Sequence, residues 1–153
     1  MTIRAATGPD VDAIRGLLRE YAAWLNVDLC FQGFDEELAA LPGEYAPPSG
    51  QLLVAETEGG EIAGCVALRR IDDEICEMKR LYVPERFRGS GLGRRLAEAI
   101  LEEARAIGYR RIRLDTLPQM RSAQRLYEWL GFREIDAYRF NPVVGTRFLE
   151  RDV

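Results

Sequence analysis

Arg88-Gly89-Ser90-Gly91-Leu92-Gly93 sets three glycines between a strand-like segment that ends at Val83-Pro84 and a long helical segment that begins near Leu92. Glycine lets main-chain N–H groups turn inward and lets a ligand approach without meeting a Cβ atom. The N–H groups of a first helical turn lack intrahelical partners and carry the positive end of the helix dipole. A loop of this kind suits a phosphate or diphosphate. Two glycine motifs fail on spacing. A nucleotide-triphosphate loop ends in Gly-Lys followed by Ser or Thr, whereas Gly93 is followed by Arg94 and Arg95. A dinucleotide fingerprint needs a third glycine where Arg94 stands, counting from Gly89, or Leu96, counting from Gly91.

Downstream, Leu92, Leu96, Ile100, Ala104 and Ile107 make the apolar stripe of a helix that Gly108 stops, and Tyr109 to Thr116 alternates as a strand. Strand, loop, helix and strand form a βαβ unit, which predicts parallel pairing and a ligand at the carboxyl ends of its strands. A last helix follows Pro118, with Ala123, Leu126, Tyr127 and Leu130 on one face and Gly131 at its end. Strand-like pieces around Ile135 and from Val144 to Leu149 close the chain, split by a turn at Asn141-Pro142.

Upstream, Leu52 to Thr57 and Glu61 to Arg69 read as a hairpin across Gly59-Gly60. From Ile75 to Val83, alternation puts Ile75, Glu77, Lys79, Leu81 and Val83 on one face and Cys76, Met78, Arg80 and Tyr82 on the other, unless a bulge intervenes. Ile3 to Thr7 predicts a first strand, and Thr7, Pro9 and Asp10 a helix start. Val11, Ile14, Leu17, Leu18, Tyr21, Ala22 and Leu25 then share a helical face. Between Asn26 and Gly50 lies a flap with a short helical piece near Asp35 to Leu41. Its Phe31, Phe34 and Tyr45 either pack on the core or line a substrate mouth.

The 153 residues match one domain, 1–153, and a net charge of -4 offers no general attraction to nucleic acid. No signal-peptide pattern and no apolar run of membrane-spanning length is present, so no membrane partner and a cytoplasmic location are expected. Cys30, Cys65 and Cys76 lack paired spacing and read as buried small hydrophobes, so no metal is expected. The chain has no histidine, which removes the usual catalytic triads.

Leu81-Tyr82-Val83-Pro84 followed by the glycine loop resembles the acyl-CoA signature of the GNAT superfamily of N-acetyltransferases. Ala123, Leu126-Tyr127-Glu128 and Leu130-Gly131-Phe132 resemble its last-helix pattern. The resemblance implies an α/β fold with a mixed, splayed central sheet flanked by about four helices, and acetyl-CoA as cosubstrate. It places the CoA diphosphate on the main-chain N–H groups of Arg88, Gly89, Ser90, Gly91, Leu92, Gly93 and Arg94, and the pantetheine arm along the strand edge at Leu81, Tyr82 and Val83. Arg86, Arg88, Arg94 and Arg95 would add positive field.

Acetyl transfer from a thioester to an amine needs a neutral amine, a polarised carbonyl and a proton for the departing thiolate. Tyr127 matches the family tyrosine that often acts as general acid, and a phenol near 10 is protonated at neutral pH. Glu77 is the candidate general base, working through water, with Glu74 and Asp115 as rivals. Many members carry Asn where this chain has Met120, and Ser122 is the candidate substitute in the cofactor contact. The expected partner is a small-molecule amine acceptor, with no nucleic acid, and the chain is expected to be a monomer or homodimer. Arg69, Arg70, Lys79, Arg80, Arg139 and Arg147 would suit a carboxylate-bearing, amino-acid-like acceptor. A protein or peptide amine, or CoA sensing without catalysis, are the alternative readings.

Overall fold

Three residues of parallel pairing hold the two halves of the sheet together. The computed structural model describes residues 1–26, 28–29 and 33–153. In chain order its elements are β1 (Thr2–Ala5), α1 (Val11–Leu25), α2 (Phe34–Ala40), β2 (Gln51–Glu56), β3 (Ile62–Arg70), β4 (Ile75–Tyr82), α3 (Leu92–Ile107), β5 (Arg111–Thr116), α4 (Arg121–Trp129), β6 (Arg133–Ile135) and β7 (Arg147–Asp152). The strands form one sheet in the order β1-β2-β3-β4-β5-β7-β6. Among the described residues only β4 and β5 pair in parallel, as Ile75 with Arg111, Cys76 with Ile112 and Glu77 with Arg113. Beyond Glu77 the two strands continue without pairing, so the sheet is splayed at its middle, as expected.

α1 and α2 cover one face. Ile14, Leu17, Leu18, Tyr21 and Leu25 of α1 pack with Phe34, Leu38, Tyr45, Val54 and Tyr82. On the other face, Leu96, Ala97, Ile100 and Ala104 of α3 and Tyr127 of α4 pack with Leu53, Val66, Leu68, Ile112 and Leu149. Leu96 and Ile100 are fully buried, each worth about 1.5–3 kcal/mol of apolar transfer. At the start of the chain, the Thr7 N–H donates to Asp10 Oδ2 at 2.7 Å, and Asp10 accepts from Arg4 at 2.7 and 3.0 Å. Arg4 holds the Asp10 carboxyl well below its usual range.

The expected face assignment of β4 holds only as far as Lys79. Arg80 has φ 60, and the register against β3 slips between Cys65 and Ala67. The extra residue inverts the alternation beyond it. Leu81 and Val83 therefore join Met78 and Cys76 on the α3 face, while Tyr82 lies on the α1 face. The last strand also starts later than expected, at Arg147, because a turn at Gly145, with φ 87, leaves Val144 93% exposed. Of the flap aromatics, Phe34 and Tyr45 are buried in the core, and Phe31 lies outside the described residues, as does Cys30. Cys65 and Cys76 are buried, and burial pushes both thiols up to about 12.

Gly50 docks the flap on the sheet. A Cβ there would meet Glu44 O at 2.5 Å, Leu68 O at 2.7 Å and Tyr45 C at 2.8 Å, all backbone atoms. Gly50→Ala should therefore destabilise the fold by about 1–3 kcal/mol through overpacking. Gly16→Ala, in open space on α1, should be neutral or stabilise by up to about 1 kcal/mol. Urea denaturation of the two variants checks both.

Candidate active site

Two neighbouring cavities lie at the splay and share wall residues. The larger, about 420 Å³, lies between the end of β4, the glycine loop and the start of α4. Of the cofactor residues expected from sequence, Leu81, Tyr82, Val83, Arg88, Gly89, Gly91, Leu92, Gly93 and Ser122 line it. Ser90 and Arg94 do not have their side chains on its wall. The Ser90 hydroxyl donates to Phe87 O at 3.2 Å. Arg94 donates to Glu98 at 2.7 Å and stacks over the Trp129 ring at 3.9 Å.

The loop has the geometry of an anion cradle. Gly89 and Gly91 have φ 88 and 78, conformations that side chains disfavour. An added Cβ at Gly89, Gly91 or Gly93 would meet nothing within 4 Å, so the backbone faces open space. The bond from Arg95 N to Gly91 O, 3.1 Å, opens the α3 ladder. The N–H groups of Leu92, Gly93 and Arg94 precede it, and α3 has neither a side-chain cap nor an acidic residue in its first turn.

The expected arginine field is largely engaged elsewhere. Arg86 lies 3.2 Å from Glu20 and 3.5 Å from Glu61, and Arg95 donates to Met1 O. Arg88 donates to Val83 O at 2.8 Å and lies over Trp24 at 4.6 Å, bracing the loop against α1. Trp24, Gln119 and Arg121 line the cleft without having been singled out from sequence. For Trp24 a signal existed: a large aromatic at the edge of the apolar face of α1, seven residues after Leu17.

The smaller cavity, about 40 Å³, occupies the gap where β4 and β5 part. Its walls include Lys79, Arg80, Asp115, Tyr127 and Asn141, and it shares Leu81 and Met120 with the cleft. Tyr127 is only 4% exposed, and burial raises its phenol above the ordinary value of 10. It is therefore protonated throughout the neutral range. Asn141 donates to Asp115 Oδ2 at 3.2 Å. Thr116 Oγ1 sits 3.9 Å from Met120 Sδ.

Charge in this gap is strongly organised. Arg80 is clamped by Glu37 at 2.8 and 2.9 Å, and its guanidinium lies over Phe34 at 5.1 Å. Burial works to raise the Glu37 carboxyl, but the hydrogen bonds and charge of Arg80 outweigh it and hold it below the usual range. Burial, then the neighbouring Arg80, pushes the Lys79 ammonium down to about 8.

Glu77 is fully buried and lines neither cavity. Its carboxylate accepts from Arg69 at 2.8 Å, Arg139 at 2.9 Å and Tyr138 at 2.6 Å. Glu74 is exposed and 3.9 Å from Arg110, away from both cavities. Among the three carboxylates singled out as candidate bases, Asp115 is the one on the pocket wall.

Residues 17–132 match the model of the acetyltransferase (GNAT) family. The chain belongs to that family. An uncharacterised N-acetyltransferase of Schizosaccharomyces pombe is 38% identical over 145 residues, covering 94% of this chain and 89% of that protein. Human N-acetylaspartate synthetase is 33% identical over 102 residues, covering 66% of this chain and 34% of the synthetase. A Salmonella typhimurium protein proposed as an acetyltransferase, solved with its cofactor acetyl-CoA, superposes with a TM-score of 0.77 at 26% identity, covering 99% of this chain and 93% of that one. In this GNAT chain no described helix is long and apolar enough to cross a membrane. No group of three or more His, Cys, Asp or Glu among the described residues could hold a metal ion.

The depressed Lys79 value has a defined signature. The folded state holds this ammonium near 8 and the unfolded chain near 10.5, so between those values the unfolded state binds more protons and stability rises with pH. Relative to Lys79→Met, the wild-type protein should gain stability from about pH 8 to about pH 10.5. Paired denaturation curves across that range test it, and parallel profiles would contradict it.

Proposed function

We propose that the chain, acting as a single domain in the cytoplasm as a monomer or homodimer, transfers the acetyl group of acetyl-CoA to the primary amine of a small molecule by direct attack with both substrates bound. The observation that carries this reading is the adjacency of the two cavities, which share Leu81 and Met120 as walls, with Tyr127 on the wall of the smaller one. When bound, acetyl-CoA supplies the thioester carbonyl. The α3 first-turn N–H groups and Arg121 receive the diphosphate, and Ser122 offers a hydroxyl on the same cleft wall. The β4 edge from Leu81 to Val83, beyond its pairing with β5, offers main-chain groups to the pantetheine arm and a donor to the carbonyl oxygen.

The acceptor nitrogen enters from the gap beside Asp115. As its bond to the carbonyl carbon forms and the carbon–sulfur bond breaks, one nitrogen-bound proton ends on sulfur. Tyr127 is the donor facing that change. A free thiol ionises near 8.5 and this phenol above 10, so Tyr127 relays a proton that the nitrogen replaces and does not finish as phenolate. Glu77, the base expected from its strand, would have to work through water to reach the pocket, whereas Asp115 lines it. Lys79 on the opposing strand suits an acceptor that also carries a carboxylate. The kinship with N-acetylaspartate synthetase supports an amino acid as acceptor.

Acetyl-CoA should raise the melting temperature, and a panel of amino acids including aspartate should release CoA thiol. Tyr127→Phe should lower kcat by about 100-fold while leaving the KM for acetyl-CoA within about twofold; unchanged turnover would remove its role. CoA binding without turnover on free amines or peptides would favour a sensor. Gly93→Ala offers a separate test of the cradle: with room for a Cβ it should fold as stably as the wild type, yet raise the KM for acetyl-CoA at least about fivefold by blocking backbone approach.

A further inference from the structure

Glu77 is the last β4 residue in register with β5, opposite Arg113, and therefore stands at the apex of the splay. Burying a carboxylate there costs several kcal/mol unless it is paired and hydrogen-bonded. Its partners come from two separate elements. Arg69 lies directly across the β3–β4 ladder and also holds Glu44 of the flap at 2.8 Å. Tyr138 and Arg139 belong to the segment that joins β6 to β7. The Tyr138 ring meets Phe148 edge-on at 5.5 Å, and the Arg113 guanidinium lies 5.3 Å from it. Two residues after Arg139, within about 7 Å of chain, Asn141 reaches the pocket wall and donates to Asp115. The Asn141 side chain also accepts from Val143 N at 3.0 Å, shaping the next turn.

We infer that Glu77 is a positioning residue for the acceptor pocket, its carboxylate clamping Tyr138 and Arg139 so that Asn141 is set against Asp115. The clamp explains why a fully buried acid sits where it touches neither cavity: it organises a wall that the parted strands cannot supply. The catalytic consequence rests on the N-acetyltransferase reading, whereas the clamp itself does not. Loss of the carboxylate frees the 136–146 segment, and the acceptor, not the donor, loses its site.

Hydrogen exchange and kinetics on Glu77→Gln test this. Amides within 138–143 should exchange at least about tenfold faster while those of β2 and β3 keep their protection. With the amino acids that the wild type turns over, the acceptor KM should rise about tenfold, the acetyl-CoA KM should stay within about twofold, and the acid limb of the kcat/KM profile should keep its position. Tyr138→Phe, which removes one bond and keeps both arginines paired, should shift exchange and acceptor KM in the same direction by less, and it carries the test if the glutamine variant does not fold. Unchanged exchange in a folded variant overturns the clamp. A collapse of kcat with loss of the acid limb overturns it in favour of a general base. If the wild type acetylates no amine, it is the enzymatic reading that fails, and the exchange data still decide the clamp.

Discussion

Parallel pairing between β4 and β5 lasts for three residues and then stops, and the rest of the site depends on where it stops. A sheet that stayed paired to its ends would fill the gap between Lys79 and Asp115 with ladder hydrogen bonds. The bulge at Arg80 adds to this by turning Leu81 and Val83 toward the α3 side. A left-handed residue other than glycine costs about 1–2 kcal/mol and survives only where its surroundings determine it. Here the determinant is visible. The Arg80 guanidinium is nearly buried, bound in a fork by Glu37 and stacked over Phe34, so the strained residue is held from the flap.

Two carboxylates, Glu37 half-buried and Glu77 fully buried, therefore perform related tasks. Glu37 ties α2 to the bulge through Arg80, and Glu77 ties the β6–β7 segment to the apex. Both are matched by guanidiniums, which offer planar, always-charged donors in a fixed fork. A lysine would not hold either geometry. Lys79, next to Arg80 in sequence, is instead a buried ammonium whose protonation is opposed by burial and by Arg80.

Much of this was legible in the sequence where the determinants are local. The loop, α3 and α4 follow from glycine placement and apolar spacing, and their residues fell on the cleft wall where that logic put them. The faces of β4 beyond Lys79 did not follow, because a bulge inverts alternation without leaving a compositional mark at Arg80. The side chains of Ser90 and Arg94 likewise found nearer partners in Phe87 O and Glu98. Glu77 is a candidate base through the family resemblance, and its partners Tyr138 and Arg139, 61 and 62 residues away, leave no local sign. Nothing in a period-2 pattern reports a contact of that range.

The same distinction separates the two substrates. Diphosphate recognition needs backbone N–H groups at one helix start, so one short motif encodes it. The smaller cavity, the proposed acceptor site, is lined from α1, β4, β5, α4 and the β6–β7 segment. Changing Asn141 or the residues that seat it would alter the acceptor pocket and leave the glycine cradle intact. On the proposed reading a fold built this way can keep one donor and vary its acceptors, because Asp115 of β5 and Asn141 of the β6–β7 segment line the smaller cavity and not the cleft.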